Sequence, residues 1–149
     1  MRLNTVILIL GLALASPFSF ADDASDVKAA ELALNAAQNE GRFEEMFNLM
    51  LRTRTTFAVN GGRLLTGWSE ADIQRRKDDW AKGRRADIRV EDLQVQVLGD
   101  TAITTLYRVG TEIAAGAKEA KPVRYRFSGV WIRTKDGWRL AHRHESQLN

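Results

Sequence analysis

The feature that most constrains the fold is a long run of alternating apolar and polar residues in the second half of the chain. From Ile88 to about Gln147 the chain reads as four successive strands, because alternation sends neighbouring side chains to opposite faces of a sheet. Gly99-Asp100 and Asp136-Gly137 are turn signals, and Ala114 to Lys121 reads as a loop. Consecutive strands with short connections predict an antiparallel meander.

An irregularity in the first of these strands predicts a bend in the sheet. Ile88 and Val90 alternate in one parity, whereas Val95 and Val97 alternate in the opposite one. The parity changes at Glu91-Asp92, which predicts a β-bulge, and a bulge bends and twists its strand. The sheet is therefore expected to curve.

Three helices are predicted ahead of the meander. Residues 25–40 carry one apolar and one polar stripe at helical spacing, and a shorter helix follows with aromatic and methionine side chains on one face. The third helix starts near Ser69, where Asp72 completes a capping box, and it ends at Gly83. A strand at residues 55–59, followed by a short return strand, lies between the second and third helices.

Helices in the first half and strands in the second predict an α+β domain. The three N-terminal helices are expected to pack on one face of a curved antiparallel sheet and to form a cone with a cavity at its mouth. With 149 residues, 44% of them hydrophobic, the chain can build one core and is too apolar to be disordered. It has no cysteine, which excludes a disulfide scaffold, a thiolate zinc site and a thiol nucleophile.

Residues 1–21 read as a cleavable secretory signal peptide. Arg2 gives a positive start, Val6 to Ala15 is apolar, and small residues stand three and one positions before Asp22. The apolar run is too short to cross a bilayer, which needs about 20 residues. We expect a mature domain of residues 22–149 in the periplasm or outside the cell. A buried N-terminal helix is the alternative.

The charge balance argues against a nucleic-acid partner. The chain has 22 Lys and Arg against 19 Asp and Glu, and loss of the signal peptide would remove one arginine. Nucleic-acid-binding domains usually concentrate a stronger basic charge on one face. After signal cleavage we expect no membrane partner and no nucleic acid, and we predict no cofactor.

Four segments resemble the nuclear-transport-factor-2-like, or SnoaL-like, family. They are residues Asn39–Arg42, Thr66–Ser69, Val97–Ala102 and Trp138–Ser146. The last segment is similar to the final strand of the association domain of calcium/calmodulin-dependent kinase II and of exported bacterial relatives. The resemblance implies a cone-shaped fold, a ligand-sized cavity and a homodimer or larger ring. It implies no single reaction, because the family includes isomerases, cyclases, dehydratases, epoxide hydrolases and non-enzymatic binders.

Two departures from the family narrow the function. The steroid-isomerase branch has a general-base aspartate where this chain has Phe57–Asn60, and its first helix supplies a tyrosine that is absent here. The kinase association domain has cavity arginines at positions that hold Val109, Gly129 and Glu145 in this chain. The resemblance therefore argues against the steroid-isomerase route and against carboxylate binding by that arginine set.

His142 and His144 are the only histidines and are the candidate catalytic residues. They lie two apart on a predicted strand and point to one face, and imidazole can act as acid or base near neutral pH. Packing at the end of the sheet is the structural alternative. A shared metal is a further alternative, but two imidazoles lack the third ligand that a site needs, so we predict no metal.

Aromatic side chains are expected to wall the cavity, since ligand pockets are mostly apolar. The candidate ligand-binding residues are Tyr107, Trp68, Trp80, Tyr125, Phe127 and Trp131. An ordinary core is the alternative for each of them.

The charged residues of the two central strands are expected on a separate face, solvated or paired across a dimer interface. They are Arg108, Glu112, Arg124 and Arg126. The register of the final hairpin decides which face lies inside. One register pairs Trp131 with His142, and the other puts Trp131 on the same side as Arg143 and Glu145. The sequence leaves both open.

The sequence thus predicts an exported small-ligand-binding or assembly module with a pocket at the mouth of the cone. The alternative is a small-molecule lyase, isomerase or hydrolase, in which His144 or His142 moves a proton and Tyr107 orients the substrate. Whether the protein is an enzyme stays open at this stage. The expected partners are a small molecule and further copies of the chain.

Overall fold

The computed structural model describes residues 20–59 and 62–148. The helices and strands of this part are α1 (Phe20–Glu40), α2 (Phe43–Asn48), β1 (Met50–Phe57), β2 (Leu64–Thr66), α3 (Glu70–Ala81), β3 (Arg85–Leu98), β4 (Thr101–Ile113), β5 (Lys121–Thr134) and β6 (Gly137–Gln147). None of these helices is long and apolar enough to cross a membrane. The predicted signal peptide lies almost wholly outside the described residues and stays a prediction.

The strands form one curved, unclosed sheet in the order β2-β1-β6-β5-β4-β3. Strands β3 to β6 make the predicted antiparallel meander, and the α+β class is confirmed. The sheet is mixed, because β1 lies parallel to β6. This parallel pair joins β1, which lies among the helices in the sequence, to the last strand of the meander.

Two local predictions from the sequence are confirmed. The register of β3 against β4 shifts between Glu91 and Gln94, and Asp92 has a positive φ of 51°, a conformation that Asp tolerates better than most residues. At the start of α3 the Asp72 carboxylate accepts hydrogen bonds from the Ser69 backbone N–H at 2.8 Å and the Ser69 hydroxyl at 3.0 Å. The bulge bends the sheet, and the capping box fixes where α3 begins.

The helices cover one face of the sheet, which we call the inner face; the opposite face is the outer face. The core between them joins α1, α2 and α3 to the central strands, and its largest members are Leu34, Phe43, Phe47, Trp131, Trp138 and Leu140. The same face also carries charged residues of β4 and β6, which line a cavity together with the helices.

The register of the final hairpin differs from both predicted registers. Thr134 pairs with Gly137, and Trp131 pairs with Leu140. An irregularity between Val130 and Trp131 then shifts the register by one residue, so that Val130 pairs with His142. As a result Trp131 lies on the inner face, and His142 lies on the outer face.

Candidate functional site

A cavity of about 400 Å³ lies between the inner face, the α2 and α3 helices and the β1–β2 hairpin. Its charged lining consists of seven arginines and three carboxylates. The arginines are Arg54, Arg63, Arg75, Arg76, Arg84, Arg108 and Arg143, and the carboxylates are Asp79, Glu112 and Glu145. The cavity therefore carries an excess of positive charge in a partly enclosed space, where charge interactions are screened less than in water.

Among the arginines of this cavity, Arg108 is the most buried one without a carboxylate partner in the residues that the structure describes. Alternation along β4 puts it on the same face as Thr104 and Leu106, and only 4% of it is exposed. Its Nε and Nη2 atoms have no hydrogen-bond partner among the described residues. Burial and, to a lesser extent, the nearby Arg143 charge lower the pKa of Arg108 to about 10. The group is still cationic at neutral pH, and an anion in the cavity would give it the partner that it lacks.

The Phe127 ring lies beside both buried guanidinium groups of the inner face. The Cζ atoms of Arg108 and Arg143 are 5.1 Å and 5.0 Å from its centroid, within the range of cation–π attraction. Tyr125 packs edge-on against Phe127 with centroids 6.2 Å apart. This aromatic pair gives the cavity an apolar wall next to its positive charge.

Tyr125 supplies a neutral hydroxyl to the same wall. Its hydroxyl lies 3.5 Å from the Glu112 Oε2 atom and donates toward it. Burial raises the pKa of Tyr125, and the Glu112 charge raises it further. The phenol therefore stays protonated at neutral pH and can donate a hydrogen bond to Glu112 or to a ligand.

Arg143 differs from Arg108 because it has carboxylate partners. Its Nη2 atom is 3.3 Å from Glu31 on α1, and its Nη1 atom is 3.7 Å from Glu145. Arg143 is 5% exposed and Glu31 is 2% exposed. This buried pair links α1 to the floor of the cavity, and it leaves Arg108 as the group that gains most from a new anion.

Two further arginines lie nearer the mouth of the cavity. The Arg54 Nη1 atom donates to the Thr56 hydroxyl, whereas its Nε atom has no partner among the described residues. Burial and, to a lesser extent, the Arg143 charge lower the pKa of Arg54 to about 10. Arg76 on α3 also has a lowered pKa, chiefly through burial and then through the Arg84 charge. The positive charge thus continues from the floor of the cavity to its mouth.

The predicted aromatic residues fall into three places. Tyr125 and Phe127 line the cavity. Trp131 is fully buried beneath it and donates to Glu31 at 3.2 Å. Tyr107 lies on the outer face, because it pairs with Arg126 while Arg108 pairs with Tyr125.

The two remaining tryptophans pack against α2 rather than line the cavity. Trp68 lies 5.1 Å from the Phe47 ring, and its Nε1 donates to the Leu51 carbonyl at 3.0 Å. Trp80 meets Phe43 edge-on with centroids 5.8 Å apart. Trp80 therefore holds α3 against α2, and Trp68 holds the segment before α3 against α2 and β1.

His142 and His144 both point to the outer face, away from the cavity. The His142 Nδ1 atom is 2.7 Å from the Thr55 hydroxyl, and both imidazoles meet Phe57 edge-on at about 6 Å. The sequence correctly placed them on one face. Their catalytic role stays a prediction, and the cavity lies on the other side of the sheet.

The expected grouping of charged residues in the central strands is wrong. Arg108 pairs with Tyr125 and therefore shares its face, whereas Arg124 and Arg126 lie on the outer face. Glu112 lines the cavity with Arg108. One signal in the sequence could have identified Arg108, which has the same parity as the buried positions Thr104 and Leu106. The cross-strand register was needed to add Tyr125 and Arg143.

Comparison with known proteins agrees with this architecture. The family described as the SnoaL-like domain matches residues 27–149. A proposed dehydratase of the NTF2-like family from Streptomyces avermitilis superposes with a TM-score of 0.73 at 22% identity, over 88% of this chain and 99% of that one. The CaMKII hub of S. rosetta gives 0.68 at 27% identity, over 84% and 96%. A ketosteroid isomerase-like protein from Erwinia carotovora gives 0.70 at 16% identity, over 86% and 98%. No curated protein matches the chain by sequence.

Proposed function

Since the chain belongs to the SnoaL-like family, we propose that its cavity binds a small organic anion. The observation that carries the proposal is the buried Arg108 guanidinium, which lines the cavity and whose Nε and Nη2 atoms find no hydrogen-bond partner in the described part of the chain. A guanidinium can form two parallel hydrogen bonds to one carboxylate. The Phe127 and Tyr125 rings offer an apolar surface to the rest of the molecule.

Ligand binding is favoured over catalysis by histidine. The candidate bases His142 and His144 are on the outer face, where they contact Phe57. The proposed ligand would lie on the inner face against Arg108 and Phe127. A lyase, isomerase or hydrolase of the histidine type would need its substrate on the other side of the sheet.

Calorimetric titration with benzoate tests this proposal. Benzoate has one carboxylate and one ring, which matches the pairing of Arg108 with Phe127. We expect binding with a Kd of about 1 mM or lower, equivalent to about −4 kcal/mol. The Arg108→Met variant is expected to bind about tenfold more weakly or worse, because a hydrogen bond to a charged group contributes about 1.5–3 kcal/mol.

Two controls make the titration specific. Benzamide has the same shape without the charge, and it is expected not to bind measurably. Arg126→Met makes the same substitution at an exposed position of the outer face, and it is expected to bind benzoate as the wild type does. Equal affinity of wild type and Arg108→Met for benzoate would contradict the proposal.

We also propose that copies of the chain assemble through the outer face. The support is the likeness to CaMKII hub domains, together with apolar side chains left on that face: Ile103 is 36% exposed and Phe57 is 41% exposed. Burial of such side chains is the usual source of stability in a homodimer interface.

Sedimentation of the mature domain tests the assembly. At micromolar concentration we expect a dimer or larger oligomer, and Ile103→Glu is expected to shift it to monomers because a carboxylate would be buried in the interface. Leu32→Glu is the matched control, since Leu32 is 44% exposed on α1, away from the sheet. A wild-type monomer, or equal dissociation by both variants, would rule out the outer face as the interface.

A further inference from the structure

A second cavity adjoins the first and shares four of its seven arginines. It has a volume of about 450 Å³ and lies under the β2 strand and the start of α3. Four arginines line both cavities, namely Arg54, Arg63, Arg75 and Arg76. Arg108 and Arg143 line only the first. The positive charge therefore falls into two groups. The inner pair is Arg108 and Arg143 on the sheet. The outer cluster lies at the wall common to the two cavities and consists of Arg54, Arg63, Arg75 and Arg76.

The outer cluster has charge that its own neighbours do not neutralise. Arg75 is paired with Asp72 at 2.7 Å. Within the described residues, no carboxylate oxygen lies within 4.0 Å of Arg54 or Arg76. Burial lowers the pKa of both of these groups, so they are cations held partly out of water. Such groups gain from an anion for the same reason as Arg108.

We infer that the ligand carries two anionic groups, one held at Arg108 and Arg143 and the other at Arg54 and Arg76. This inference rests on the proposed function and adds the ligand's chemical class. The first anion would occupy the floor of the cavity beside Phe127. The second would lie at the mouth, where the outer cluster separates the two cavities.

The acidic residues of the cavity favour carboxylates over phosphates as these groups. Glu145 lies 3.7 Å from Arg143, and Glu112 lines the same space. A phosphate close to its dianionic state would meet more repulsion from these carboxylates than a single negative charge does. Planar carboxylates also suit bidentate pairing with guanidinium groups. The ligand class is therefore a dicarboxylate.

The test compares each linear dicarboxylate from succinate to suberate with its own monomethyl ester. The two molecules have similar length, but the ester lacks one charge. We expect at least one diacid in the series to bind about tenfold more tightly than its ester, since each charge-assisted hydrogen bond contributes about 1.5–3 kcal/mol. The series is needed because the spacing of the two groups in the ligand must match that of the two arginine pairs.

Variants separate the two ends of the ligand. Arg76→Gln is expected to remove the tenfold gain of the diacid while leaving the affinity for the ester unchanged. The unchanged ester affinity also reports that the variant is folded. Arg126→Gln is the matched control, because Arg126 is exposed on the outer face and bonds Ser146 there; it is expected to keep the gain.

Three outcomes would overturn the inference in distinguishable ways. If esters and benzoate bind but no diacid exceeds its ester, the single-anion function stands and the second group is wrong. If neither esters nor benzoate bind, the proposed function is wrong and this inference with it. If pyrophosphate binds the wild type about tenfold more tightly than it binds Arg76→Gln, and no diacid shows such a difference, the dicarboxylate class is wrong.

Discussion

The Arg108→Met variant is expected to unfold at a higher temperature than the wild-type protein, although it loses the ligand. Arg108 is 4% exposed and has two unpartnered guanidinium nitrogens among the described residues. Burial lowers the pKa of this side chain to about 10, which means that folding disfavours its charged form. Methionine has a similar length, carries no charge and adapts to irregular apolar space.

The size of the gain follows from what is known of buried charges. Replacing buried ionic groups by apolar residues of similar volume is often neutral or stabilising by about 1–4 kcal/mol. We expect an increase of about 1–3 kcal/mol in the free energy of unfolding. For a domain of this size that corresponds to a rise in Tm of about 3–12 °C. Differential scanning calorimetry at pH 7 without ligand measures it.

The same measurement with benzoate present separates stability from function. A ligand that binds only the folded state raises its stability with concentration, so benzoate is expected to raise the Tm of the wild type and not that of Arg108→Met. Arg126→Met is the control for the substitution itself and is expected to change stability by about 0.5 kcal/mol or less. A loss of stability in Arg108→Met would mean that the guanidinium supports the fold and is not kept for a ligand.

The fold could be predicted because its determinants are local. The alternation from Ile88 onward specifies strands whatever the rest of the chain does. The parity change at Glu91-Asp92 identified the bulge, which the register of β3 against β4 confirms. The capping box at Ser69 and Asp72 identified the start of α3. Each of these signals depends on residues within a few positions of one another.

The faces of the central strands could not be predicted, because they depend on contacts between strands. Arg108 joins Tyr125 only through the β4–β5 register, and no short sequence signal records that register. The irregularity between Val130 and Trp131 could not be predicted either, since it shifts the pairing of His142 by one residue relative to the start of β6. The parallel pairing of β1 with β6 joins residues about 90 positions apart.

The candidate site was missed for a related physical reason. Aromatic residues were expected to mark the pocket, but most of the predicted ones fill the core or the outer face, and only Tyr125 and Phe127 line the cavity. Arginine is mostly exposed in folded proteins, so a charged strand position is normally assigned to solvent. Next to a cavity a charged strand position can instead face the inside of the protein, because the cavity leaves room for an anion beside the buried cation.

Loss of Glu31 is expected to destabilise the protein more than loss of any surface charge. The Glu31 side chain on α1 is 2% exposed. Its Oε1 atom is 3.3 Å from Arg143, and its Oε2 atom accepts from Trp131 at 3.2 Å and from the Thr104 hydroxyl at 3.3 Å. Three strands of the sheet are therefore tied to α1 through one carboxylate.

The Glu31→Leu variant leaves Arg143 buried, and of the described carboxylates Glu145 alone, at 3.7 Å, stays within ion-pair distance of it. Breaking one side of a buried ion pair usually costs about 3–5 kcal/mol, because the remaining charge is uncompensated. We expect a loss of about 3 kcal/mol in the free energy of unfolding, measured by urea denaturation at pH 7. Glu40→Leu is the control, because Glu40 pairs with Arg42 at the surface; it is expected to change stability by about 0.5 kcal/mol or less.

A double variant decides whether the loss comes from the stranded charge or from the hydrogen bonds. In Glu31→Leu with Arg143→Met both charges are gone, so an electrostatic origin predicts that most of the lost stability returns. The Trp131 Nε1 atom also donates to the Thr104 hydroxyl at 3.2 Å, and neither substitution removes an atom of that bond. If the double variant is no more stable than Glu31→Leu, the bonds to Trp131 and Thr104 are the main contribution. In that case the Arg143–Glu31 ion pair contributes little to stability. Arg143 could then exchange Glu31 for an anion that binds at Arg108 and Arg143 without a large loss of stability.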